Sequence, residues 1–251
     1  MFGSNWQEGH DLLNHEGPIE LSLPEDNAAA LEIIFAIIHH QNNEVSRAIP
    51  ARRVLDVAIT TDKYDFINAM KLASETLLRT KKRGADDLMF LTAAAYLFQN
   101  AQAFKKITKA LILKYPAPYL NLACKGIESV LTWRVFRLLE QQRSFASLEL
   151  SELLISGINE RTGMCVHMRG WMCKYTCAYL NLLKNKQLWP ANLLGISVSE
   201  AIEAAENMAD PIPRNRSIVY KYEFRPDPAE YRKGRYRSLE RLKNGIGLCL
   251  Q

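Results

Sequence analysis

The order of apolar and polar positions divides the chain into one short strand and a succession of helices. Ile19 to Leu23 alternates, the pattern of a half-buried strand, and Pro24-Glu25-Asp26 then supplies a helix start with acids near its positive end. In the helix that follows, Leu31, Ile34, Phe35 and Ile38 recur at i, i+3, i+4 and i+7. Ile33 and Ile37 widen that stripe, which predicts burial on more than one side. Pro50 opens a further helix in which Leu55, Ala58 and Ile59 repeat at helical spacing, up to Asp62-Lys63-Tyr64-Asp65. Another is predicted from Phe66 to Arg83, its last turn carrying Arg79, Lys81, Lys82 and Arg83 and closed by Gly84 as a C-terminal cap. The same basic run fits a nuclear-import signal, but the cap explains its position without a receptor.

Phe90, Ala94, Leu97 and Phe98, then Phe104, Ile107 and Leu111, predict a pair of short antiparallel helices ended by Pro116 and Pro118. From Ile127, the positions Val130, Leu131, Val135, Leu138 and Leu139 predict one longer helix, and Trp171, Tyr175, Ala178 and Leu182 another. Ser197 or Ser199 caps a helix running to Met208. The tail from Pro211 is the least patterned part, and Ile218 to Phe224 reads as one strand. No internal repeat, Gly-rich phosphate loop or heptad array is evident. The expected fold class is α+β, mostly α-helical.

Composition narrows this picture without naming a function. At 251 residues, with 48% hydrophobic and 24% charged positions, the chain is long enough to bury a core without disulfide or metal staples. The longest charge-free apolar stretch, Leu88 to Phe98, falls short of the roughly 18 residues of a membrane span, so no membrane association is expected. The first dozen residues contain no Lys or Arg, unlike a secretory leader, and a cytoplasmic or nuclear location is expected. Five cysteines at irregular spacing suit free thiols in such a compartment. Charge is unevenly placed. Residues 211–251 hold ten Lys/Arg against four Asp/Glu, a net +6, whereas residues 1–210 sum to −1.

Few residues suggest chemistry. Cys165, His167, Cys173 and Cys177 form the one cluster of metal-ligand types, with Cys173 and Cys177 four apart on a helix. One pair placed mid-helix beside Trp171 and Tyr175 suits small buried hydrophobes better than zinc ligands, so no metal is expected. A Cys165–His167 nucleophile pair lacks an orienting acid. His39-His40 suits a helix C-terminus, and the acid pairs Glu25-Asp26 and Asp86-Asp87 suit helix starts better than acid/base catalysis. No catalytic residue and no cofactor is expected. In the tail, Tyr220, Tyr222, Phe224, Tyr231 and Tyr236 interleave with Arg and Lys. That arrangement suits stacking on bases and neutralising phosphates, and equally a solvated arm or the partner of an acidic groove in the same protein.

Four blocks in order carry a resemblance: Met1 to Gly9 (MFGSNWQEG), Ile19 to Asp26, Ala30 to His39, and Leu55 to Ile59 with Asp62 to Asp65. Together they resemble the BTB/POZ domain in its fungal version, and Leu91 to Phe98 with Phe104, Ile107 and Thr108 is similar to the helical extension of that group. The resemblance divides the chain into a BTB/POZ-like unit at 1–83, a helical extension at 84–210 and a basic C-terminal arm at 211–251. It implies a non-enzymatic protein-interaction module akin to the adaptors of cullin-type ubiquitin ligases. Met1, Phe2, Trp6 and Glu8 are then the contact residues, with Trp6-Gln7-Glu8 placed where such adaptors meet a cullin scaffold. A large apolar anchor flanked by a carboxylate is a sound design for that contact. The family's domain normally begins with strands and a helix that precede the Met1-Phe2 step and form its homodimer surface, so a homodimer by that route is not expected. The alternative is a nucleic-acid-binding or transcription-associated regulator acting through the basic arm.

Overall fold

The computed structural model describes residues 24–41, 43, 45–46, 48–80, 83–159, 169–193, 195–209 and 228–250, the side chains of 157–159, 169–175 and 228–232 excepted. Among the described residues there are ten α-helices and one 3-10 helix, and no strand. The α+β expectation is therefore corrected to an all-helical architecture for this part of the chain. Both segments that carried strand signals, 19–23 and 218–224, lie outside the described residues.

The chain forms two compact units, one extending to Phe104 with residue 250, the other running from Lys105 to Cys249. In the first unit, α1 (Ala28–Ile38), α2 (Ala51–Lys63) and α3 (Ile67–Leu77) lead to α4 (Ala85–Leu97). Helix α4 is the centre of this unit. Leu88, Met89, Leu91, Thr92, Ala93, Ala94 and Ala95 are all buried, and its most extensive packing is against α2, where Val54, Leu55, Val57 and Ala58 are buried. Burial in α1 falls on Ala30, Ile34 and Ala36, so Phe35, expected inside, is 47% exposed. Small side chains let α1 approach its neighbours closely, which turns the larger Phe35 outward.

Helix ends show why several boundaries differ from expectation. The helix begun at Phe66 ends at Leu77, and Gly84 is the N-cap of α4, with Asp86 and Asp87 in the first turn beyond it. Glycine is acceptable at either end of a helix, and here the acids after it decide. The stops are made elsewhere by residues in the left-handed conformation, none of them glycine: His40, Asp65, Gln99 and Gln187, at φ 53 to 60°. After each, the next N–H reaches back five residues, as in Gln41 N to Ala36 O at 2.7 Å and Asn100 N to Ala95 O at 3.0 Å. Asp26 does not cap α1, since Asn27 does, accepting from Ala30 N at 3.2 Å. Asp26 instead accepts from Lys63 Nζ at 2.7 Å and from the Tyr64 hydroxyl, tying the start of α1 to the end of α2.

The second unit includes the C-terminal part of α5 (Ala101–Lys114), a 3-10 turn (Tyr119–Leu122), α6 (Lys125–Glu128), α7 (Trp133–Asn159), α8 (Arg169–Asn185), α9 (Val198–Glu206) and α10 (Pro228–Gly245). The helix expected to run on from Ile127 is broken at 129–132, so Ile127 and Leu131 are buried ahead of α7. Among the described side chains of α8 the buried residues are Tyr179 and Leu183, one position beyond the expected Ala178 and Leu182; the side chains of Trp171 and Tyr175 lie outside the described ones. Ser197, not Ser199, caps α9: its hydroxyl accepts from Glu200 N at 3.2 Å while the Glu200 carboxylate accepts from Ser197 N at 2.9 Å.

The described end of the tail is a packed helix. Leu239 and Leu242 of α10 are buried, as are Ile246 and Leu248 beyond it. Helix α10 meets the C-terminal end of α9, where carbonyls lack helical partners. Arg235 Nη2 donates to Met208 O at 2.7 Å, Tyr236 donates to Glu206 O at 3.0 Å, and Lys243 pairs with Glu206 at 2.6 Å. Cations there also meet the negative pole of α9. Past α10, Gly247 at φ 132° lets the chain pass against α5: a Cβ would lie 2.9 Å from Lys105 O, and Leu248 N donates to Thr108 Oγ1 at 3.0 Å.

Candidate functional site

The expected contact residues Met1, Phe2, Trp6 and Glu8 lie outside the described residues, as do Cys165, His167 and the side chain of Cys173. Cys177 is exposed, which corrects the expectation of a buried thiol at that position, and Cys124 and Cys249 are exposed free thiols as well. Among the described residues no group of three or more His, Cys, Asp or Glu side chains is placed to hold a metal ion. No helix there is long and apolar enough to cross a membrane.

What the structure does present is the outer face of α7. This helix has 27 residues, about 40 Å of length. At 100° per residue, buried Phe136, Leu139, Ala146, Leu150 and Leu154 occupy an arc of about 80°. Roughly opposite, Trp133, Phe145, Leu148 and Ile155 share an arc of about 120° and are 68%, 53%, 59% and 39% exposed. A surface helix needs one apolar stripe to join a core, and α7 has two.

The inner face is held firmly. It packs against the 3-10 turn, α9 and α10. Arg143 Nη1 donates to the carbonyls of Pro116 at 2.6 Å and Ala117 at 2.5 Å, while its Nη2 meets Glu140 at 2.6 Å. Glu140 in turn accepts from Tyr119 N at 2.8 Å, and the Arg143 guanidinium lies 5.2 Å from the centre of the Tyr119 ring. Burial pushes the Tyr119 phenol well above its ordinary range, so it stays a neutral donor toward Leu111 O. Further along, the Tyr179 hydroxyl donates to Leu154 O at 2.8 Å. These contacts fix the rotation of α7 about its axis, and with it the direction of the outer stripe.

Charges flank that stripe by sign. Arg134 and Arg137 stand at the N-terminal end, the latter 5.7 Å from the centre of the Trp133 ring, and Glu149 and Glu152 stand toward the C-terminal end, all four exposed. Beside Phe145 and Glu149, a depression of about 110 Å3 reaches Arg241 and Leu242 of α10. It is smaller than the roughly 300 Å3 at which pockets begin to enclose small molecules. The arrangement is suited to burying surface against another chain.

Compared with known proteins, the chain matches no family model, no curated protein and no solved structure.

Proposed function

We propose that this protein is a non-enzymatic interaction module that docks protein through the outer face of α7. The observation that supports the reading is the second apolar stripe, Trp133, Phe145, Leu148 and Ile155, on a helix whose opposite side already fills the core. Burial of such side chains drives association, and the flanking charges restrict which surfaces fit. The docking role expected from the sequence is retained, but the residues proposed to perform it move from the N-terminal segment to α7. Nucleic-acid binding through the tail is the weaker reading, because Arg235 and Lys243 of α10 are engaged within the fold. Among the described side chains of α10, Lys233, Arg237 and Arg241 are exposed.

The test places a photo-crosslinking residue at position 148 of the full chain and, as a control, at exposed Leu72 of α3. A discrete protein adduct from position 148 and none from position 72 is expected. Equal, background labelling at both positions would reject the reading.

A further inference from the structure

We propose that the occupant of this face is a second copy of the chain, docked antiparallel about a two-fold axis at Phe145. The inference rests on the reading above and names its partner. It begins from spacing. Arg134, Leu138, Gln141, Phe145, Leu148, Glu152 and Ile155 follow one another by alternating steps of four and three, which lines them along one seam of α7. Such a seam is what two helices share when they cross at a shallow angle. Among the described residues no neighbour covers its centre, since Phe145 and Leu148 are each more than half exposed.

Charge selects the partner and its direction. With the axis at Phe145, Leu138 of one copy faces Glu152 of the other, with Arg137 beside that carboxylate; Arg134 faces Ile155, Gln141 faces Leu148, and Phe145 meets its own equivalent. Glu149 lies on the flank between the acidic and central parts of the seam. A parallel pairing would set arginine against arginine and glutamate against glutamate. Among the described residues none of Arg134, Arg137, Glu149 and Glu152 has an ion-pair partner within the chain. The face is therefore complementary to itself when turned end for end, the property an isologous dimer requires.

The area is consistent with a reversible pair. The exposed parts of Phe145, Leu148 and Ile155 on the seam, with Trp133 at its edge, amount to something on the order of 450 Å2 per copy, so that two copies with their polar rims reach the low end of specific interfaces. Self-association should then depend on concentration, and on salt through the charges at each end.

Sedimentation velocity of the full chain over a concentration series tests this. A monomer–dimer equilibrium is expected, and Phe145→Lys, which sets two ammonium groups against each other, should weaken it at least tenfold with helicity by circular dichroism unchanged. The double changes Arg134→Glu with Arg137→Glu, and Glu149→Lys with Glu152→Lys, should each weaken it at least tenfold. Mixing these two variants should restore a dimer containing one copy of each. A chain that is monomeric at every concentration, or a dimer indifferent to Phe145→Lys and to the charge changes, would overturn the inference. A monomer whose position 148 still crosslinks to a different protein removes the second copy as partner and leaves the docking role standing; absence of any adduct removes both.

Discussion

Helices α4 and α7 are both rich in apolar residues, yet from Leu88 to Ala95 α4 has no exposed residue, whereas α7 is buried on one side only. In α4 the small side chains Ala93, Ala94 and Ala95 stand beside Leu88, Met89 and Leu91, all inside. Neighbouring helices can approach such a surface from every direction, so no face is left over. In α7 the inner arc is served by Phe136, Leu139, Leu150 and Leu154, whereas bulky Trp133, Phe145 and Leu148 on the other side are each more than half exposed. Apolar content is thus the same signal for two purposes, and the size and placement of the side chains distinguish a core from a docking face.

Substitution at matched positions breaks that equivalence most sharply. Leu91→Ala in α4 opens a cavity in a fully buried site and should cost about 3 kcal/mol in urea unfolding. Leu148→Ala in α7, measured on dilute protein, should change stability by less than about 0.5 kcal/mol, because that side chain is already in water. Equal losses at the two positions would show that the outer face of α7 belongs to the core after all.

A second contrast concerns how the units are closed. Gly247→Val puts a branched side chain at φ 132° and 2.9 Å from Lys105 O, and should cost about 2 kcal/mol. Hydrogen exchange should locate the loss, with the Leu248 amide unprotected while the amides of α4 keep their protection.

The smallest effect lies in pH. The hydrogen bond from Lys63, seconded by that from Tyr64, holds the Asp26 carboxyl below the usual carboxylate range. Its contribution to stability is present above the unfolded pKa and is lost as pH falls through the lower folded value. The same contact raises Lys63 and Tyr64, whose contribution is present below their unfolded values and lost as pH rises through the folded ones. Asp26→Asn should flatten both limbs of a plot of melting temperature against pH. Among the described residues Glu200 also contributes to the acid limb, held low by the Ser197 backbone N–H.

How much of this was legible depended on whether a signal had one meaning. Periodicity located α2, α4 and α5, and Phe104, Ile107 and Leu111 are buried as their spacing implied. Gly84 was ambiguous, because glycine serves both ends of a helix, and the four left-handed stops at His40, Asp65, Gln99 and Gln187 carry no glycine at all. Helix α10 was hidden by its charges. Leu239 and Leu242 are three apart and Pro228 stands at the first helical position, but the tail's charges left nucleic-acid binding, a solvated arm and an internal partner equally open, and Arg235 is 4% exposed and pinned to Met208 O. The α7 face was obscured by starting its stripe at Ile127. Once the break at 129–132 resets the count, Gln141, Leu148 and Ile155 fall seven apart.

The hydrogen bond from Leu248 to Thr108 joins residues 140 positions apart. At cellular synthesis rates of about 5–20 residues per second, the middle of α5 emerges roughly 7 to 28 seconds before the segment that covers it. Contacts of such long range form late, so this unit cannot finish folding until the segment holding Leu248 has left the ribosome. During that interval the apolar groups destined for Ile246 and Leu248 stand uncovered, and the nascent chain is open to chaperones and to misassembly.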